Sequence, residues 1–192
     1  MKYLKMLGLA AVAAMALMAV TAGSASATTL EIGGVKQTSS TAIAASASST
    51  VTLSDTEGFA ANKCSVSSVA GSTTSTSGTK VTGPFSALSF GTCEVSPVTV
   101  ETRGNLYIEH EPGTTSGWAF SEGTAVTWNT SFGFHVTCTT AASGTRIGTL
   151  DGVASGNAKL TIAAVLSCGF LMPSASWKGS FKVSTAGLGV VA

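Results

Sequence analysis

The sequence predicts an all-β antiparallel domain, a β-sandwich or a barrel-like closure, stabilised by two disulfides. Three observations carry this. Serine and threonine make up 52 of the 165 residues from Thr28 to Ala192, and glycine another 20, a composition that suits pleated surfaces broken by turns. Short apolar–polar alternations recur between breakers, and no long stretch sets apolar residues at helical spacing with charges opposite. Four cysteines, Cys64, Cys93, Cys138 and Cys168, fall in two pairs 29 and 30 residues apart.

The N-terminal segment precedes this pattern. Met1-Lys2-Tyr3-Leu4-Lys5 is a basic start, Met6 to Val20 is an apolar run, and Ala25-Ser26-Ala27 is a small-x-small cleavage site. That order predicts a secretory signal peptide over residues 1–27, too short in its apolar run to span a bilayer. Cleavage after Ala27 leaves residues 28–192 as a single secreted β domain. Its hydrophobic residues number 65 of 165, against 44% for the whole chain, which is enough for one core. The net charge passes from +1 to −1 with the loss of Lys2 and Lys5. A near-neutral chain without a basic cluster lacks the footprint of a nucleic-acid binder. After signal cleavage no apolar run reaches the roughly 18 residues of a spanning helix.

The strands expected in chain order are Thr29–Ile32, Ser49–Leu53, Cys64–Val69, Pro84–Phe90, Val98–Thr102, Asn105–His110 and Gly117–Ser121. Then come Ala125–Trp128, Phe132–Thr139, Arg146–Leu150, Ala158–Leu166 and Ser176–Val183. Each is a run of Val, Ile, Thr or aromatic residues, bounded by breakers such as Gly33-Gly34, Gly83-Pro84, Pro112-Gly113, Gly123 and Met172-Pro173. Asp151 to Asn157 reads as a hairpin loop between two of them. Thr161–Leu166 is the most continuously apolar run, as for a central strand covered on both faces. Ser39–Thr50 and Ser65–Thr79 read as solvent-facing hairpin arms and loops of small polar residues.

Of three possible cysteine pairings, Cys64–Cys93 and Cys138–Cys168 give each bridge a loop of strand, hairpin and returning strand. Each such closure of about 30 residues is worth roughly 3–4 kcal/mol in the chain-entropy view, and the pattern implies an oxidising compartment. There is no CxxC and there are only two histidines, so no metal and no cofactor is expected. The offset between the two pairs, 74 and 75 residues, suggests a duplicated β-module of about 75 residues. Phe59 and Phe134 would then occupy matching places before each first cysteine.

Chemistry is sparse. Glu109-His110-Glu111 lies at a strand end, where the two carboxylates share a face and the histidine takes the other. His135 sits in an apolar strand, and no Gly-x-Ser-x-Gly elbow occurs, so no catalytic residue is nominated. The aromatic residues that could stack on a sugar or anchor a partner are Trp118, Trp128, Trp177 and Tyr107. Trp118 and Trp128 are expected to be cross-strand neighbours around a turn at Ser121–Gly123. A second candidate is the loop Cys168–Pro173, where Phe170, Leu171 and Met172 are tethered by a disulfide and closed by proline. The function expected is a non-catalytic extracellular or cell-envelope binding or structural protein, with an unknown extracellular polymer or protein as partner. The alternatives are a protease-inhibitor-like or other protein-binding module using the Cys168–Pro173 loop and, third, a small secreted hydrolase.

The leader, Met-Lys-Tyr-Leu-Lys-Met-Leu-Gly-Leu-Ala-Ala-Val, with the segments Thr29–Gly34 and Thr149–Val153, resembles small secreted Ser/Thr/Gly-rich proteins of actinobacteria. The resemblance implies export and brings no activity with it. N-terminal sequencing of the exported protein is expected to begin Thr-Thr-Leu-Glu-Ile; retention of Met1 or a start inside the first strand contradicts the leader assignment.

Overall fold

A computed structural model describes residues 27–58 and 60–192; residues 1–26 of the expected leader, and Phe59 with its proposed equivalence to Phe134, lie outside them. The described residues contain no helix. The strands run β1 (Thr28–Ile32), β2 (Val35–Lys36), β3 (Ala42–Ala47), β4 (Val51–Asp55), β5 (Asn62–Ser72), β6 (Ser77–Gly78), β7 (Val81–Cys93) and β8 (Thr99–Thr102). They continue with β9 (Asn105–His110), β10 (Gly117–Glu122), β11 (Ala125–Asn129), β12 (His135–Thr139), β13 (Thr145–Asp151), β14 (Asn157–Ser167), β15 (Ser174–Ala186) and β16 (Leu188–Val191).

Strands β3 and β4 act as one interrupted strand. Ala45 of β3 pairs with Val183 and Val69, and Leu53 of β4 pairs with Trp177 and Asn62, so both lie between β15 and β5. Counted once, that strand closes the order β3/β4–β5–β7–β9–β10–β13–β14–β15 into an antiparallel barrel of eight strands. Spatial order follows chain order, an up-and-down meander, and closure leaves the wall without free edges. The all-β antiparallel class is as expected; the closure is the barrel-like alternative rather than the sandwich expected first.

Side-chain alternation fixes what is inside. On β14, Ala158, Leu160, Ile162, Ala164 and Leu166 are buried, and on β15 so are Ala175, Trp177, Phe181 and Val183. The intervening Lys159, Ala163 and Val165 are exposed. Thr161–Leu166 is therefore covered on one face only, because nothing packs on the outside of the wall there. Ala42–Ala47, read from sequence as a loop arm, is a wall strand with Ala45 inward.

The remaining strands cap the two mouths. At the plug end β1 pairs with β16, β2 and β6, and sends Leu30, with Leu188 and Val190 of β16, into the core. At the lid end, β8, β11 and β12 form a small sheet whose Val126, Trp128, Val136 and Cys138 join the same core. One side of this lid is fixed to β14 by the pair Thr139–Ser167 and the Cys138–Cys168 bridge. The other is clamped to the start of β5. Buried Asn62 donates from Nδ2 to the Ser96 carbonyl and accepts at Oδ1 from Val95 N–H, and Ser96 Oγ bonds both backbone groups of Asn129.

Both disulfides take the expected pairing, each between cysteines whose Cα atoms are 4.0–4.1 Å apart. Their surroundings differ. Cys64 and Cys93 sit in strands paired along most of their length, whereas β12 and β14 share one ladder pair, with β13 between them in the chain. The 75-residue spacing thus carries over the bridge geometry and not the strand order.

Gly148 marks the tightest point of the wall. A Cβ there would stand 1.8 Å from the Thr161 carbonyl oxygen on β14. Gly148→Ala is expected to cost about 3 kcal/mol, near the top of the overpacking range, and to lower Tm by about 6–12 °C for a domain of this size. Thermal unfolding followed by far-UV circular dichroism measures it; an unchanged Tm contradicts this account of barrel closure.

Candidate functional site

The lid end carries most of the apolar surface. Of eight large hydrophobic side chains exposed among the described residues, seven (Val66, Val95, Phe132, Phe134, Val165, Phe170 and Leu171) lie on this half of the molecule. Four sit at two hairpin tips: Phe170 is 97% exposed, Phe132 and Leu171 66%, and Phe134 51%.

Local hydrogen bonding fixes both tips. In the β11–β12 turn, Gly133 N–H donates to the Thr130 carbonyl, Thr130 N–H to the Phe134 carbonyl, and Phe134 N–H to Thr130 Oγ1. Gly133 has φ +81°, the left-handed conformation that closes such a hairpin. In the β14–β15 turn, Met172 N–H donates to the Gly169 carbonyl and Cys168 N–H to that of Pro173. Met172 is buried, anchoring the loop, while Phe170 and Leu171 project. The Cys168–Pro173 candidate is therefore a compact turn presenting two of its three apolar residues.

Sequence reading placed Phe132 and Phe134 in a strand and so missed them. The signal was present in Thr130-Ser131-Phe132-Gly133, a turn sequence with glycine where a positive φ is needed.

The aromatic candidates divide. Trp128 and Trp177 are buried, Trp128 under the lid and Trp177 edge-on to Phe90 at 5.8 Å. Neither is available at the surface, and neither indole N–H has a hydrogen-bond partner. Trp118 and Trp128 are not neighbours. β10 pairs with β9 and β13, whereas β11 pairs with β12 and β8, because the chain leaves the wall after Glu122 to build the lid.

Trp118 stays half-buried on the outer wall, with the Arg146 guanidinium 4.9 Å above its ring, beside a shallow groove lined by Thr149 and Thr161. Tyr107 stacks on Phe120 at 4.6 Å and lies beneath the Lys80 ammonium at 3.9 Å. Lys80 also pairs with Glu122 at 2.9 Å, a hydrogen bond that holds its ammonium above the ordinary 10.5. Burial pushes the Tyr107 phenol above 10.0, opposed by the Lys80 charge and aided by Glu109 and Glu122. These contacts cover the Tyr107 ring on both faces.

The titratable clusters stay apart. His110 Nε2 meets the Thr114 carbonyl, and His135 Nδ1 the side-chain oxygen of Asn129. Among the described residues no three His, Cys, Asp or Glu converge as for a metal, and no helix is long and apolar enough to cross a membrane. Inside the barrel, near the plug, an apolar cavity of about 60 Å³ is lined by Leu30, Ile43, Val69, Phe85, Leu160 and Leu188. That is far below the roughly 300 Å³ at which small-molecule pockets begin.

The class defined by these features is an eight-stranded meander barrel closed at both mouths, with apolar turns at one of them. No family model, curated protein or solved structure matches the chain.

With Tyr3 in the expected leader, Tyr107 is the only tyrosine of the processed chain, so alkaline absorbance titration reads it alone. The expected midpoint lies above 10, and Lys80→Met is expected to move it higher still. The fold favours the neutral phenol, so its contribution to stability is complete below the unfolded value of about 10 and is lost as pH rises through the folded one. A midpoint at or below 10 contradicts the burial of this ring.

Proposed function

We propose that the protein is a non-catalytic binding protein of the extracellular space or cell envelope, and that it binds through the lid end. The observation that carries this is the set of four apolar side chains, Phe132, Phe134, Phe170 and Leu171, exposed on two rigid tips at one end. Exposed apolar area of this kind costs solubility unless a partner covers it. Two disulfides suit an oxidising compartment, in keeping with secretion. Scarce and scattered titratable groups support binding over hydrolysis. An inhibitor's reactive loop must be held extended; the Gly169–Met172 turn and the buried Met172 favour a docking tip instead.

The test is retention of native envelope and secreted fractions on the immobilised protein, compared with Phe132→Ser/Phe134→Ser and Phe170→Ser/Leu171→Ser variants. The expected result is material held by the wild type and lost, by about tenfold or more, with either variant. Equal retention by all three removes the lid end as the binding surface.

A further inference from the structure

Resting on that reading, we propose that the partner of the lid end is the surface of a neutral, zwitterionic lipid layer, with Phe132, Phe134, Phe170 and Leu171 entering its acyl boundary. Three features of the tips select lipid over a folded protein.

The first is residue type. Protein hot spots are enriched in Trp, Tyr and Arg, each with a polar handle and seated in a pocket. Here Trp118, Trp128, Trp177 and Tyr107 are all placed elsewhere, and the tips present only Phe and Leu. The second is shape. The two turns hold their apolar side chains out in solvent, Phe170 almost wholly exposed, rather than seated in a pocket. A fluid acyl layer closes around such points without shape complementarity.

The third is polar satisfaction. Segments 130–134 and 167–173 contain no Asp, Glu, Lys or Arg, so entering the layer desolvates no charge. The amides of Gly133, Phe134, Cys168 and Met172 are already hydrogen-bonded within the turns, which reduces the backbone polarity that the layer has to accommodate. The tips are also held from behind, one by the Cys138–Cys168 bridge and the other by the Asn62–Ser96–Asn129 clamp, so little ordering entropy is lost on docking.

Charge selects the lipid class. Around this end the charges are mixed, Asp55, Glu57, Glu94 and Glu101 against Lys63, Lys178 and Arg103. Such a surface has no basic face of the kind that seeks acidic lipids.

The experiment is flotation of the processed protein with phosphatidylcholine vesicles. The wild type is expected to float with the vesicles. Phe170→Ser/Leu171→Ser and Phe132→Ser/Phe134→Ser are each expected to weaken partition by about tenfold or more while keeping the wild-type circular dichroism and Tm. Phe170→Trp is expected to bind as wild type and to shift its emission to the blue on vesicle addition. Raising salt from about 0.1 to about 1 M is expected to leave binding intact, since the contact is not ionic. Added phosphatidylglycerol is expected to leave it unchanged.

A wild type that stays with the aqueous phase, flotation indifferent to both double variants, or binding strengthened by phosphatidylglycerol overturns the lipid assignment. So does tip-dependent dimerisation in sedimentation velocity without flotation, which makes the occupant a second copy. If flotation fails while envelope material is still retained in a tip-dependent way, the lipid partner falls and the lid end stands as a binding surface. If both fail, both readings fall.

Discussion

The hydrogen-bond ladder between β15 and the interrupted strand β3/β4 is the constraint on which the rest depends. It joins the last wall strand to the first, and the pairs Ala45–Val183 and Leu53–Trp177 set its register. A shift of one residue would turn Trp177, Phe181 and Val183 outward and Lys178 and Lys182 into the core, because side chains alternate strictly along a strand. Closure satisfies the wall's backbone but leaves two open mouths, and a barrel of eight strands is just wide enough to be filled by its own side chains. The excursions supply what is missing. β1 and β16 bring Leu30, Leu188 and Val190 to one end, and β11 and β12 bring Val126, Trp128 and Val136 to the other.

The functional surface is a consequence of that capping. A lid has to leave the wall, cross a mouth and return, and its β11–β12 turn carries Phe132 and Phe134 outward. The Phe170–Leu171 turn belongs to the wall hairpin β14–β15 and is tied to the lid by the Cys138–Cys168 bridge, while buried Asn62 fastens the lid near β5. A buried amide with both ends satisfied is costly to disturb, since replacing it leaves the Ser96 carbonyl and the Val95 N–H without their partner. The clamp thus links core packing to the orientation of the Phe132–Phe134 tip.

Much of the wall was legible in the sequence. Asn105–His110 is the strand expected, β10 and, in the lid, β11 extend one residue beyond expectation at one end, and β14 extends one residue at each end, because Val, Ile, Thr and aromatics alternate there without interruption. β3 was not legible. Its Ala and Ser side chains resemble a loop in composition and become a strand only through neighbours on both sides. The relation of Trp118 to Trp128 failed for a different reason: a short turn between strands ordinarily implies a hairpin, and here Gly123 separates wall from lid. The apolar tips were half legible. The Cys168–Pro173 loop announced itself by its disulfide and proline, whereas Phe132 and Phe134 were masked by the alternation of the strand that follows them.

The low charge of the chain fits both the wall and the tips. Cross-strand hydroxyl pairs such as Ser68–Ser89 at 2.8 Å occupy outer positions that other β proteins give to ion pairs. Among the described residues the one ion pair is Lys80–Glu122, and as a surface pair it contributes little. Neutral pairs of this kind are insensitive to salt and change little across the ordinary pH range, so the wall holds its shape where ion-pair networks would be screened. The same neutrality removes long-range steering towards charged partners. What remains to choose a partner is short-range burial of apolar area, and the lid end is where that area is concentrated.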